Sequence, residues 1–209
     1  MYLEKPLRDF IKDTSSRTPT PGGGSVAALV GALGSSLLAM VANFTLNNEK
    51  FQSVESEVKK LLSEIDHYTS RFCELIEEDI SAYREFSHAL SLPKTTPQEK
   101  EVRRKTLQLT LKKAAQVPLI TCECCLKILN IASRLAVIGN PNLISDVGVG
   151  ALLAQASLES AVLNVEINLS SIKDLKFVEE KRKAVQDILN QGRRIRDQLL
   201  DEVKRKITS

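Results

Sequence analysis

Three stretches of this sequence hold residue types at spacings that could do chemistry. The first is Glu77-Glu78-Asp79-Ile80-Ser81-Ala82-Tyr83. On a helix, Asp79 falls beside the apolar stripe of Ile76, Ile80 and Tyr83 rather than opposite it. A carboxyl so placed is partly desolvated, which raises its pKa and suits it to proton transfer; the competing reading is an ordinary surface ion pair. Glu77 and Glu78 read as solvated neighbours. The second stretch is Pro21-Gly22-Gly23-Gly24-Ser25, running straight into uncharged apolar sequence. Successive glycines can aim several N–H groups at one point. A helix starting at Ser25 adds its positive end, making a concavity suited to a carboxylate or phosphate. The alternative is a tight turn that lets backbones pack closely. No GxxxxGK[ST] and no lysine beside the glycines is present, so this is not a nucleotide fingerprint.

The third stretch is Gly139-Asn140-Pro141-Asn142-Leu143-Ile144-Ser145-Asp146-Val147-Gly148, with Asn164 and Asn168 further on. Ser145 and Asp146 are placed to cap an incoming helix. Asn164 and Asn168 are four apart and share a helix face; buried amides there need partners, either the glycine loop or a polar ligand. The cysteines point to less. Cys122 and Cys125 are three apart, Cys124 faces elsewhere, and His67 and His88 lie far off in sequence. No paired CxxC or HExxH supplies a zinc set, so no metal is expected and core cysteines are the plain reading. A Cys–His nucleophilic pair requires folding to bring His67 or His88 to Cys73 or Cys122.

The elements that must position these groups are helices. Leu3 to Ile11 predicts a short entry helix, and Ser25 to about Asn43 a central helix whose Gly31 and Gly34 make sense where backbones approach. Phe51 to about Ser91 predicts one long amphipathic helix, with apolar residues at three- and four-residue intervals. Thr96, Pro97 and Glu99 form a capping-box start for a helix to about Ile138, which Pro118 should kink. Helices over about Leu143 to Ser171 and Asp174 to Lys206 follow. No β alternation is convincing, so the fold class is all-α: a bundle of about five or six helices, several long, around a buried Gly/Ala-rich central helix, in a single domain over residues 1–209.

Composition agrees and excludes several partners. The 209 residues are 43% hydrophobic but only 4% aromatic, with no tryptophan, so the core is aliphatic. The net charge is +3. The basic residues of Lys181-Arg182-Lys183, of Arg193, Arg194 and Arg196, and of Lys204-Arg205-Lys206 interleave with acids, as on a solvated helix face, and no nucleic-acid partner is expected. Val26 to Ala42 is uncharged but short for a membrane span and rich in Gly, Ala and Ser, so a buried helix and no membrane partner are expected. No secretory signal opens the chain, and the cysteine spacing lacks a disulfide framework; the expected location is cytoplasmic. Two apolar helices, from Ser25 and from Gly150, exceed what their neighbours can cover, which favours a homodimer.

Taken together, PTPGGGSVAALVGALGSSL at Pro19 to Leu37, LIEEDISAY at Leu75 to Tyr83, and GNPNLISDVGVGALLAQASLESAVLNVEIN at Gly139 to Asn168 resemble the cyclodeaminase/cyclohydrolase family. That family includes the cyclodeaminase part of formiminotransferase-cyclodeaminase and free-standing methenyltetrahydrofolate cyclohydrolases. The resemblance implies an all-helical homodimer acting on a tetrahydrofolate derivative as substrate, with no further cofactor and no metal. Its implied site is Gly22, Gly23, Gly24 and Ser25 from the loop, Asp79 as principal acid/base with Asp146 as alternate or orienter, and Asn140, Asn142, Ser145, Asn164 and Asn168 as polar contacts. Family members often carry a basic stretch after the first buried helix; here it is Leu46-Asn47-Asn48-Glu49-Lys50-Phe51, with one lysine and an added acid. A formiminotransferase domain is absent from the sequence, which tilts the expectation toward hydrolysis of 5,10-methenyltetrahydrofolate to the 10-formyl form. The alternatives are 5-formiminotetrahydrofolate cyclodeamination and a noncatalytic folate-binding dimer.

Overall fold

The computed structural model describes residues 2–208. Among them are six α-helices and no strand: α1 (Leu7–Thr14), α2 (Gly23–Thr45), α3 (Glu55–Ser91), α4 (Pro97–Ile138), α5 (Ile144–Leu169) and α6 (Leu175–Thr208). Short 3-10 turns cover Tyr2–Glu4, Glu49–Val54 and Pro141–Leu143. The helices α2, α3, α4 and α5 run alternately up and down. The antiparallel order shows in paired contacts: Ser25 meets Asp79, Glu57 meets Arg134, and Cys125 meets Ser157. A four-helix bundle closes where α5 returns against α2, and α6 lies outside it on α4 and α5.

The α2–α5 seam depends on absent side chains. A Cβ on Gly34 would stand 2.9 Å from the Gly150 carbonyl oxygen, and one on Gly150 would stand 3.0 Å from that of Gly34. Backbone meets backbone there, and neither can yield as a side chain would. Small hydroxyls satisfy the interior: Ser157 donates to the Ala27 carbonyl at 2.6 Å and accepts from the Cys125 thiol, and Ser35 accepts from Thr69. Around them Phe72, Leu38, Ile65, Leu129 and Leu158 are fully buried.

Several boundaries differ from the expectation. Helix α2 starts at Gly23, two residues early, because the Ser25 N–H is held by Asp79 and the glycines are drawn into the first turn. The long amphipathic helix splits: Asn47 takes φ 54° and Asn48 accepts from the Lys50 N–H, so a 3-10 turn precedes α3. The Thr96 box forms as read, with Thr96 Oγ1 accepting from Glu99 N–H at 3.2 Å and the Glu99 carboxylate accepting from Thr96 N–H at 2.9 Å. Helix α4 runs unbroken through Pro118. Three segments, Gly23–Thr45, Pro97–Ile138 and Pro141–Leu169, are long and apolar enough to cross a membrane, and half or more of each apolar window is buried inside the bundle.

Candidate active site

One end of the bundle holds a cleft of about 330 Å³. The first turn of α2 lines it together with Asp79 on α3. The Asp79 Oδ2 accepts from the Ser25 N–H at 2.9 Å and from the Ser25 hydroxyl at 2.6 Å. Helix phase explains the position: Asp79 sits between the buried Ile76 and Ile80, at the edge of the stripe that faces α2. Burial pushes its carboxyl above the usual carboxylate range, against the two Ser25 donors that favour the charged form. Oδ1 takes neither Ser25 donor, leaving it available to a ligand.

Gly24 is what lets the carboxylate lie so close. A Cβ there would fall 2.1 Å from Oδ1 and 2.6 Å from Cγ, so any side chain at Gly24 collides with Asp79. The opening N–H groups of α2, at Gly23 and Gly24, lack helical partners and carry its positive end into the cleft. Across from them, Asn164 Oδ1 would stand 3.3 Å from a Cβ on Gly23. The side-chain amide of Asn164 donates to the Ser160 carbonyl, and that of Asn168 to the Ala114 and Asn164 carbonyls. The two side-chain carbonyls therefore remain as acceptors. Tyr83 and Phe86, edge-to-face at 6.5 Å, form an aromatic wall with the aliphatic Leu111 and Ile167. The cleft thus offers one carboxylate with a raised pKa, backbone donors at a helix start, amide acceptors and an apolar slot.

The structure brings together Gly22, Gly23, Gly24, Ser25, Asp79, Asn164 and Asn168. Ser25 is fully buried and turned onto Asp79, so it orients the acid rather than facing a ligand. Asn140, Asn142, Ser145 and Asp146 lie at the opposite end of the bundle, beside the end of α2. Asp146 and Asn164 are eighteen residue steps apart, about 27 Å along α5. There Asn140 ties the turn to the end of α2: its N–H donates to Thr45 Oγ1 at 2.9 Å and its side-chain amide to the Phe44 carbonyl at 3.3 Å. Its Oδ1 accepts from the Asn142 N–H, whereas Ser145 and Asp146 make no cap on α5, which starts after Leu143 without a side-chain cap. Asn142 and Ser145 are exposed and Asp146 half-buried. The departure at Asn47 to Lys50 belongs to this far end too.

Glu77 and Glu78 are not free solvated neighbours. Glu78 is gripped by Arg71 at 2.5 and 3.0 Å, and Glu77 accepts from the Tyr2 N–H. The cysteines stay in the core: burial pushes the Cys122 thiol up to about 12 and Cys124 to about 11, so neither is a thiolate near neutrality. Among the described residues, no three His, Cys, Asp or Glu side chains gather as a metal-ligand set. Sequence reasoning missed the contributions of Leu111 and Ala114 from α4, for which an apolar face is the only signal.

Comparison with known proteins gives this architecture a family. The formiminotransferase-cyclodeaminase family model matches residues 6–187. A methenyltetrahydrofolate cyclohydrolase of Methylorubrum extorquens is 36% identical over 201 residues, covering 96% of this chain and 97% of its own length. The formimidoyltransferase-cyclodeaminase of Sus scrofa is 31% identical over 97% of this chain, which spans only 37% of that longer protein. The crystal structure of formiminotetrahydrofolate cyclodeaminase from Thermotoga maritima superposes with a TM-score of 0.89 at 28% identity, covering 98% of this chain and 99% of that one. The chain therefore belongs to the formiminotransferase-cyclodeaminase family of folate-processing enzymes.

Proposed function

We propose that the protein closes the one-carbon bridge of 5-formiminotetrahydrofolate, releasing ammonia and leaving 5,10-methenyltetrahydrofolate. The observation that carries this reading is Asp79: a carboxyl of raised pKa with a free Oδ1, held by Ser25 beneath an apolar slot. In the reaction N10 attacks the carbon of the protonated, amidinium-form formimino group and loses its proton, and the former imino nitrogen, gaining one proton in exchange, leaves as ammonia. Asp79 accepts the N10 proton and returns one to the departing nitrogen. Its carboxylate also stabilises the amidinium-like cation that forms. The Asn164 and Asn168 carbonyls accept from the N–H groups of the pterin edge, and the Tyr83–Phe86 wall excludes water and holds the ring in register.

This chain covers 99% of the Thermotoga maritima cyclodeaminase chain, so its length gives hydrolysis no advantage over deamination. Hydrolysis of the methenyl bridge remains the second reading, favoured by the 36% identity to the Methylorubrum extorquens cyclohydrolase. In that direction Asp79 takes the proton of an attacking water. Purified protein offered each folate separately, with methenyl absorbance followed, distinguishes the two. A rise from the formimino compound supports deamination. A fall from the methenyl compound, above the buffer's own rate, supports hydrolysis. If neither signal changes while folate still binds, the protein is a noncatalytic binder.

A homodimer belongs to the same proposal. Helix α2 carries no charged residue, and Val26, Val30, Leu33, Leu37, Met40 and Phe44 recur on one face at alternating four- and three-residue steps. Its neighbour α5 presents Val149, Leu152, Leu163 and Ile167 outward, with Leu163 71% exposed. Two antiparallel helices with such stripes are half of a four-helix bundle, and a second copy supplies the other half. Sedimentation of Leu33→Glu should give a monomer; a dimer as tight as wild type would refute this interface.

A further inference from the structure

The row of acceptors on α5 continues into an unused hydroxyl. Asn164, Asn168 and Ser171 follow one another at four- and three-residue steps, along one side of the helix and the turn that leaves it, and all three line the folate cleft. Both N–H groups of the Asn168 amide are spent on the Ala114 and Asn164 carbonyls, at 3.2 and 2.8 Å. Toward a ligand that side chain only accepts. Ser171 differs. Its hydroxyl makes no hydrogen bond among the described residues, whereas that of Ser170 turns back on the Ile167 carbonyl at 2.7 Å. A free hydroxyl supplies the donor that Asn168 lacks.

The backbone of Ser171 is tied down although the residue is exposed. Its N–H donates to the Asn168 carbonyl at 3.3 Å, and its carbonyl accepts from Gln108 Nε2 at 3.1 Å. The other end of the same amide, Gln108 Oε1, accepts from the Lys173 N–H at 2.7 Å, and Ile172 between them is buried. One side chain of α4 thus holds two backbone groups of the turn. Gln108 lies six residues, about 9 Å, before Ala114, which holds Asn168. Helix α4 therefore sets the place of Asn168 and the place of Ser171 through separate contacts. A donor fixed before the ligand arrives loses little freedom on binding, which favours a selective bond.

We propose that Ser171 is a specificity residue, donating to the carbonyl oxygen of the pterin beside the ring N–H that Asn168 accepts, and that Gln108 is its positioning residue. The inference rests on the folate reading above. The pterin edge carries an acceptor oxygen next to a donor N–H. Ser171 and Asn168, three residues apart on one side of the cleft, offer the complement. A site built to bond that oxygen discriminates against a ring without it, because the oxygen's partner is then left unmet.

The test is equilibrium binding of tetrahydrofolate and of its 4-deoxy analogue, in which hydrogen replaces the pterin oxygen. The proteins are wild type, Ser171→Ala, Gln108→Ala and the double variant. Ser171→Ala should weaken tetrahydrofolate roughly tenfold and the 4-deoxy analogue by less than about twofold. Gln108→Ala should show the same selective loss at about threefold, and the double variant should lose no more than Ser171→Ala alone, since the amide acts through the hydroxyl. Equal weakening of both ligands by Ser171→Ala, or weakening of neither, overturns the hydroxyl's role and leaves the folate reading intact. A Gln108→Ala loss that falls equally on both ligands, or adds in full to that of Ser171→Ala, overturns the positioning role. If wild type binds neither ligand, the folate reading itself falls and this inference with it.

Discussion

Replacing Gly24 by alanine should disable the site while leaving the fold standing. The new Cβ would lie 2.1 Å from Asp79 Oδ1, where ordinary contact begins at 3.4 Å, so that oxygen must retreat by about 1.3 Å. It cannot do so in place, because Oδ2 is tethered to Ser25 at 2.9 and 2.6 Å and would itself be 3.0 Å from the Cβ. The carboxylate must rotate and release one or both bonds. Losing a hydrogen bond to a charged group costs about 1.5–3 kcal/mol, and alanine returns roughly 1 kcal/mol of helix propensity. For one released bond the net loss of stability is about 0.5–2 kcal/mol by those terms, small beside the functional loss. A displacement of this size at a proton-transfer group costs on the order of 10²-fold in rate. Gly22→Ala is the control: φ there is −121°, open to any residue, and the new Cβ meets only the Pro19 carbonyl oxygen at 3.4 Å. Urea titration and steady-state turnover on both variants decide the matter. Turnover by Gly24→Ala within about twofold of wild type would refute the placement of Asp79 at the reacting centre, since a 10²-fold loss is expected.

Asp79→Asn should stabilise the protein at neutral pH as it removes activity. The native carboxyl holds its proton more tightly than the unfolded one, so wild-type stability falls as pH rises from the ordinary value of 3.8 through the raised native value. The advantage of the asparagine variant should therefore grow over that window, and paired urea midpoints at acid and neutral pH check it. Gly34→Ala should destabilise by about 1–3 kcal/mol through overpacking, because its Cβ would press on the Gly150 carbonyl at 2.9 Å; the thermal midpoint reads this. Cys122 and Cys125, buried with thiols pushed well up, should resist a thiol reagent in the native protein and react on unfolding, with half-exposed Cys73 modified first.

Much of this arrangement was legible from local chemistry. Asp79 could be placed because helix phase at a stripe edge depends only on neighbours in sequence, and the Thr96–Glu99 box is local by construction. The sharing of a face by Asn164 and Asn168 follows from the same period. The distribution of the third stretch was not legible. Its motif runs continuously from Gly139 to Asn168, but a 26-residue helix carries the two ends of that run to opposite ends of the bundle. Contiguity in sequence became separation in space. The early start of α2 was hidden for another reason: glycine's poor helix propensity argued against it, and the tertiary bond from Ser25 to Asp79 outweighs that propensity.

The most direct test of the account compares wild type and Asp79→Asn for folate affinity and, at equal occupancy, for the rate of change in methenyl absorbance. The account predicts that the variant binds the formimino and methenyl folates about as tightly as wild type and changes neither above the buffer rate. Wild-type turnover in a variant of matched occupancy would contradict it, because no other carboxylate among the described residues lines the cleft.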